Sequence, residues 1–172
     1  MKKTLALLVT LAAAFQATAQ TQQFGVDLPK LFLHGELMTD TPPLPPNSRV
    51  LADSIAQMKA MSGLDTPIKY YWRVVKMKQQ PSCGRVSMIP IQGKVALGPF
   101  AMGAFLCEDG SPPFMVCPEK KSKLVPPDTK CKGGARPMFS EEAQAMYDQA
   151  IRDGGKTTDE VARILKNAQP KK

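Results

Sequence analysis

The sequence predicts an α+β protein: a small antiparallel β-sheet of four to five strands with two disulfides, one N-terminal helix before it and a C-terminal αα-hairpin after it. Three observations carry that expectation. Residues 68–117 are rich in β-branched and aromatic side chains and are interrupted by Gly, Pro and Asp-Gly. Residues 48–62 and 139–168 carry apolar side chains at helical spacing. The four cysteines, an even number, all lie between positions 83 and 131.

With 172 residues, 43% of them hydrophobic, the chain suits one domain plus an arm and excludes a large multi-domain enzyme. That apolar content also excludes wholesale disorder. Residues 1–19 form the expected signal peptide. Lys2 and Lys3 supply a positive start, Leu5 to Phe15 an apolar run too short to span a membrane, and Ala17-Thr18-Ala19 a small-residue cleavage site before Gln20. Loss of Lys2 and Lys3 with that leader lowers the net charge from +8 to +6, a modest surplus spread along the chain as solvated surface.

Residues 20–46 lack a clean period and end in Thr41-Pro42-Pro43-Leu44-Pro45-Pro46. They are expected as an extended Pro-rich arm, because four prolines in five positions favour polyproline II. Phe24, Leu31, Phe32 and Leu33, with Pro42 and Pro45, give that arm its candidate partner-binding residues. A single disulfide-stabilised domain is expected over 47–172. Helix 48–62 opens it, capped by Asn47 or Ser48 and stopped by Gly63, with Leu51, Ile55, Met58 and Ser62 on one face.

The β region 68–117 follows. Alternation in Ile68 to Met77 places Tyr70, Trp72 and Val74 on the core face and Lys69, Tyr71 and Arg73 on the other. Further strands are expected over Cys83 to Ile91, Lys94 to Leu97, Phe100 to Cys107 and Phe114 to Cys117. Residues 118–137 are expected as a loop pinned by Cys131. The helical hairpin 139–168 closes the chain, with Ser140 capping its first helix, Gly154-Gly155 the turn and Thr157-Thr158-Asp159-Glu160 a capping box for its second.

Cys83, Cys107, Cys117 and Cys131 in a small exported chain imply two disulfides. Spacing favours Cys83–Cys107 across a hairpin with Cys117–Cys131. The close alternative joins Cys107 to Cys117 across the Glu108–Gly110 turn. No Cys-x-x-Cys pair is present, so neither a thioredoxin-like redox site nor a zinc site is expected.

Catalytic patterns are missing. His34 is the one histidine and sits in the expected arm, the adjacent acids suit turns and helix starts, and no phosphate loop, dinucleotide fingerprint or nucleophile elbow occurs. The methionines are expected as adaptable core packing rather than a copper(I) site. Export argues against reading the C-terminal hairpin as a DNA-binding element. The expectation is an exported, non-catalytic, periplasmic or secreted binding protein without cofactor or metal. Its partner would be a protein of the cell envelope, not nucleic acid, in an assembly such as a secretion or conjugation apparatus, and no membrane span would remain after cleavage. The alternative is a secreted inhibitor or toxin-like effector acting through the disulfide-held loop Glu108–Pro113.

Overall fold

Strand β3, Cys83–Gln92, is the axis of the fold seen in a computed structural model that describes residues 25–44 and 48–155. The expected signal peptide, Phe24, Pro45 and the second helix of the C-terminal hairpin lie outside those residues. On one side β3 pairs antiparallel with β2, Ile68–Lys76, along its whole length, from Ile68↔Gln92 to Lys76↔Gly84. On the other it takes two partners in succession. These are β5, Met102–Cys107, against residues 83–88, and the short β4, Val95–Ala96, against residues 91–92. Strand β1, Glu36–Thr39, adds to the outer side of β2 and completes a five-stranded sheet.

Pro90 lies inside this central strand, a position usually closed to proline. Its carbonyl accepts from the Leu97 N–H. A strand residue turns both backbone groups to the same side, so the missing Pro90 N–H falls at the gap between β4 and β5 and leaves the β2 ladder whole. At the tip, Gly93 adopts φ 60, the positive value that a two-residue hairpin turn needs at its first central position.

Alternation then sorts the side chains. Tyr70, Trp72, Val74, Val86 and Met88 are buried together on one face, as the β2 pattern predicts. Above them sits α1, Leu28–His34, whose Leu28, Leu31 and Phe32 are at most 2% exposed. Helix α2, Arg49–Ser62, lies where the 48–62 pattern places it and buries Leu51 and Met58 of the predicted stripe. Among the described residues the opposite face is covered at one end only. There α3, Glu141–Arg152, capped by Ser140, packs Ala143 and Met146 against Met77, Phe105 and the Cys83–Cys107 bridge.

Two expectations are corrected. Within the expected arm 20–46, residues 28–39 are not extended spacer but form α1 and β1 of the main body. Asp27 caps α1 by accepting the Lys30 N–H, and Gly35 at φ 82 ends it, its carbonyl accepting the Val74 N–H as the chain turns into β1. Trp72 fixes that strand in turn, donating from Nε1 to the Thr39 hydroxyl at 3.1 Å. Residues 118–137 are likewise not all loop: Lys120–Val125 form β7, paired with β6, Met115–Cys117, in a separate two-stranded hairpin.

The disulfides join Cys83 to Cys107 and Cys117 to Cys131, the pairing that spacing favours. Closing loops of 24 and 14 residues removes unfolded-state freedom worth about 3 kcal/mol each on the chain-entropy account.

Because α1 is core, Phe32→Ala is expected to cost about 3–5 kcal/mol, read from the denaturant midpoint. A loss under about 1 kcal/mol would show that α1 is not integral to the core.

Candidate interaction surface

Among the described residues, the surface left uncovered is the remainder of the sheet's second face and its β5 edge. Beyond the reach of α3, the second face carries Met38, 50% exposed, beside half-buried Tyr71, Ile89 and Ile91, and further along β2, past Arg73, Val75 at 48%. Met38 lies opposite Tyr71 and Tyr71 opposite Ile89, so these side chains form a continuous row across three strands. Met38, Thr66, Pro67, Lys69, Ile91 and Gly93 line a shallow groove of about 250 Å³ at one end of it. Lys69 and Arg73 flank the apolar row, Lys69 facing Asp40 at 3.9 Å. Tyr71 donates to a Glu36 carboxylate oxygen, and that bond, chiefly, raises the phenol pKa.

Hydrogen bonding defines the edge. Cys83 turns its backbone toward β2, donating to Gln80 and accepting from Met77. The even-numbered residues of β3 therefore face β5 and take Leu106, Ala104 and Met102 as backbone partners. Gly103 and Phe105 turn their N–H and C=O groups outward, where no further strand pairs with them among the described residues. Residues 102–104 are exposed. Across this edge lies Arg85. Its Cζ stands 5.9 Å from the Phe105 ring centroid, and its Nη2 lies 2.9 Å from where a Cβ on Gly103 would sit. Burial lowers the pKa of the guanidinium, and among the described residues no carboxylate forms an ion pair with it.

The polar side chains of the body are used for attachment. Gln92, fully buried, accepts from the Ser62 hydroxyl at 2.5 Å and donates to the Leu64 and Thr66 carbonyls at 2.7 Å each, tying the end of α2 to the sheet. Gln80 clamps Phe114 through both of its backbone groups. Glu142 accepts the Lys78 and Gln79 N–H groups and fastens α3 to the turn after β2. In the loop after Cys107, Asp109 accepts the Ser111 N–H and hydroxyl, and the hydroxyl bond first of all holds its pKa below the usual aspartate range.

The sequence-derived candidates are dispersed. Leu31 and Phe32 are enclosed in the core and unavailable to a partner, whereas Leu33 is 77% exposed on the outer side of α1. Pro42 is half-buried, its carbonyl oxygen close against Gly25 where a Cβ would sit, so it packs on this chain. Phe24 and Pro45 lie outside the described residues. The four cysteines bring their elements together as two bridges. Cys117, Glu119 and Cys131 form a cluster with metal-ligand spacing, but both sulfurs are bound to each other and offer no thiolate. Met58, Met77 and Met88 are core residues, and His34 is exposed at the end of α1. Sequence reasoning passed over Arg85 and the β5 edge. The uncharged run Met102-Gly103-Ala104-Phe105-Leu106 is the signal that marks such an edge.

Two outcomes follow from the attachments. Gln92→Leu keeps the volume but removes three hydrogen bonds that tie the end of α2 and residues 64–66 to the sheet, and is expected to lower stability by about 2–3 kcal/mol, against under about 0.5 for exposed Gln57→Ala. Equal midpoints for the two variants would remove Gln92 from this role. Asp109 has a depressed folded pKa, so its contribution is whole above the unfolded value, about 3.9, and drains away as pH falls through the lower folded one. Carboxyl NMR is expected to find its midpoint below that of an unfolded aspartate, and a midpoint at or above it would contradict the Ser111 contacts.

Among the described residues no helix is long and apolar enough to cross a membrane. No known protein family, curated protein or solved structure matches this chain.

Proposed function

We propose that this is an exported, non-catalytic protein of the periplasm or cell exterior. It works by binding another protein of the cell envelope, as an accessory part of an assembly such as a secretion or conjugation apparatus. The observation that carries the reading is the half-covered sheet. Among the described residues one face is closed by α1, while the other leaves Met38 exposed beside half-buried Tyr71, Ile89 and Ile91, with exposed Val75 beyond Arg73. A contiguous apolar row with a basic margin is contact material for a protein partner. Two disulfides support an oxidising compartment, where bridges persist. The polar side chains with several partners, Gln80, Gln92 and Glu142, are taken up in holding backbone.

A second reading, a secreted inhibitor or toxin-like effector, is supported by the loop after Cys107. It is held by the Asp109–Ser111 bonds and the Gln80 clamp, and it displays Phe114 at 52% exposure. A pre-ordered loop lowers the ordering cost of binding.

Photo-crosslinking residues at Val75 and at exposed Phe114, each in its own variant, with one at exposed Ala52 as control, separate the two in the native envelope. The expected result is stoichiometric capture of membrane-complex subunits from position 75 and not from position 52. Capture of a single soluble hydrolase through position 114 would favour the inhibitor, and equal capture from 75 and 52 would overturn the sheet-face reading.

A further inference from the structure

We infer that the β5 edge accepts an extended, acid-bearing strand of a partner protein, with Arg85 as the receptor for its carboxylate. This deepens the binding reading and rests on it. The outward N–H and C=O groups of Gly103 and Phe105 offer four hydrogen bonds at the spacing of an antiparallel ladder. The devices that usually protect an edge are missing here. Residues 102–107 carry no charge, no proline and no bulge, and 102–104 lie exposed.

The chemistry of the occupant follows from what lies across that edge. A strand added to β5 places its residues opposite Gly103 and Phe105 on the same face as Arg85. Gly103 has no side chain, so the guanidinium reaches over it toward the incoming strand. Arg85 is half-buried, stacked near Phe105 and without a carboxylate partner among the described residues. A planar guanidinium in that setting takes a carboxylate through two parallel hydrogen bonds. The incoming strand therefore carries Asp or Glu opposite Gly103 and an apolar residue opposite Phe105. A second copy of this chain fits poorly: β5 against β5 would bring two uncompensated guanidiniums onto one face.

The test uses the full folded protein, isotope-labelled for NMR. The probe is a blocked peptide alternating threonine on one face with valine and a single glutamate on the other. In the free protein the Gly103 and Phe105 amides are expected to exchange rapidly with solvent. Titration is expected to shift and protect those two amides saturably, with about tenfold weaker binding for the Glu→Gln peptide. Arg85→Gln, with its thermal midpoint checked, is expected to keep the residual pairing and lose the preference for glutamate. Absence of shifts at Gly103 and Phe105 would overturn the edge. An unchanged glutamate preference in Arg85→Gln would overturn the receptor. Protection of both amides before peptide is added would show that the chain itself or a second copy occupies the edge, and would also overturn the proposal. Each of these failures leaves capture through position 75 untouched, so the two readings fail separately.

Discussion

The register of β5 on β3 is the constraint from which the remaining arrangement follows, and the Cys83–Cys107 bridge makes it covalent. In a pleated strand a slip of one residue carries every side chain to the opposite face. Here such a slip would turn the side chains of β5 over, taking Leu106 away from the core beneath α1 and Phe105 away from α3. The two cysteines face each other at a position where neither directs its backbone at the other, which is where paired strands come closest. One covalent tie therefore fixes which β5 side chains join the core beneath α1 and which meet α3.

Around that sheet, much of the remaining structure is attached by single polar side chains rather than by further ladders. Gln92 holds the end of α2, Gln80 holds the start of β6, and Glu142 joins α3 to the turn after β2. Each supplies hydrogen-bond partners to backbone groups in irregular segments, where no neighbouring strand can. This economy suits a chain whose central sheet has a two-residue strand at one margin and a four-residue strand at another. Among the described residues it also leaves the part of the second face beyond α3 uncovered.

Much of the architecture was legible in the sequence, and the rest was hidden for identifiable reasons. The alternation of Tyr70, Trp72 and Val74 gave the buried face of β2, the stripe of Leu51 and Met58 gave α2, and Ser140 marked the start of α3. Helix α1 escaped because it is seven residues long and followed by a proline-rich run that dominates the local composition. Its signals were present as Asp27 at the cap, Leu28, Leu31 and Phe32 at i, i+3, i+4, and Gly35 at the stop. Strand β7 escaped because Lys120, Lys121 and Lys123 suggest a solvated loop, and its partner is held by a hairpin with a register shift. Arg85 could not be singled out at all. Its position above Gly103 depends on cross-strand register, which only the folded sheet supplies.

The order of the cysteines along the chain has a consequence for biosynthesis. Each bridge closes before the next begins: Cys83 meets Cys107, and then Cys117 meets Cys131. A chain made from its N-terminus presents each odd member of the series first and its native partner next. Successive oxidation in order of appearance therefore yields the native connectivity directly. The protein is suited to acquire its bridges from a simple thiol oxidant, with no demand for an isomerase to exchange mispaired sulfurs.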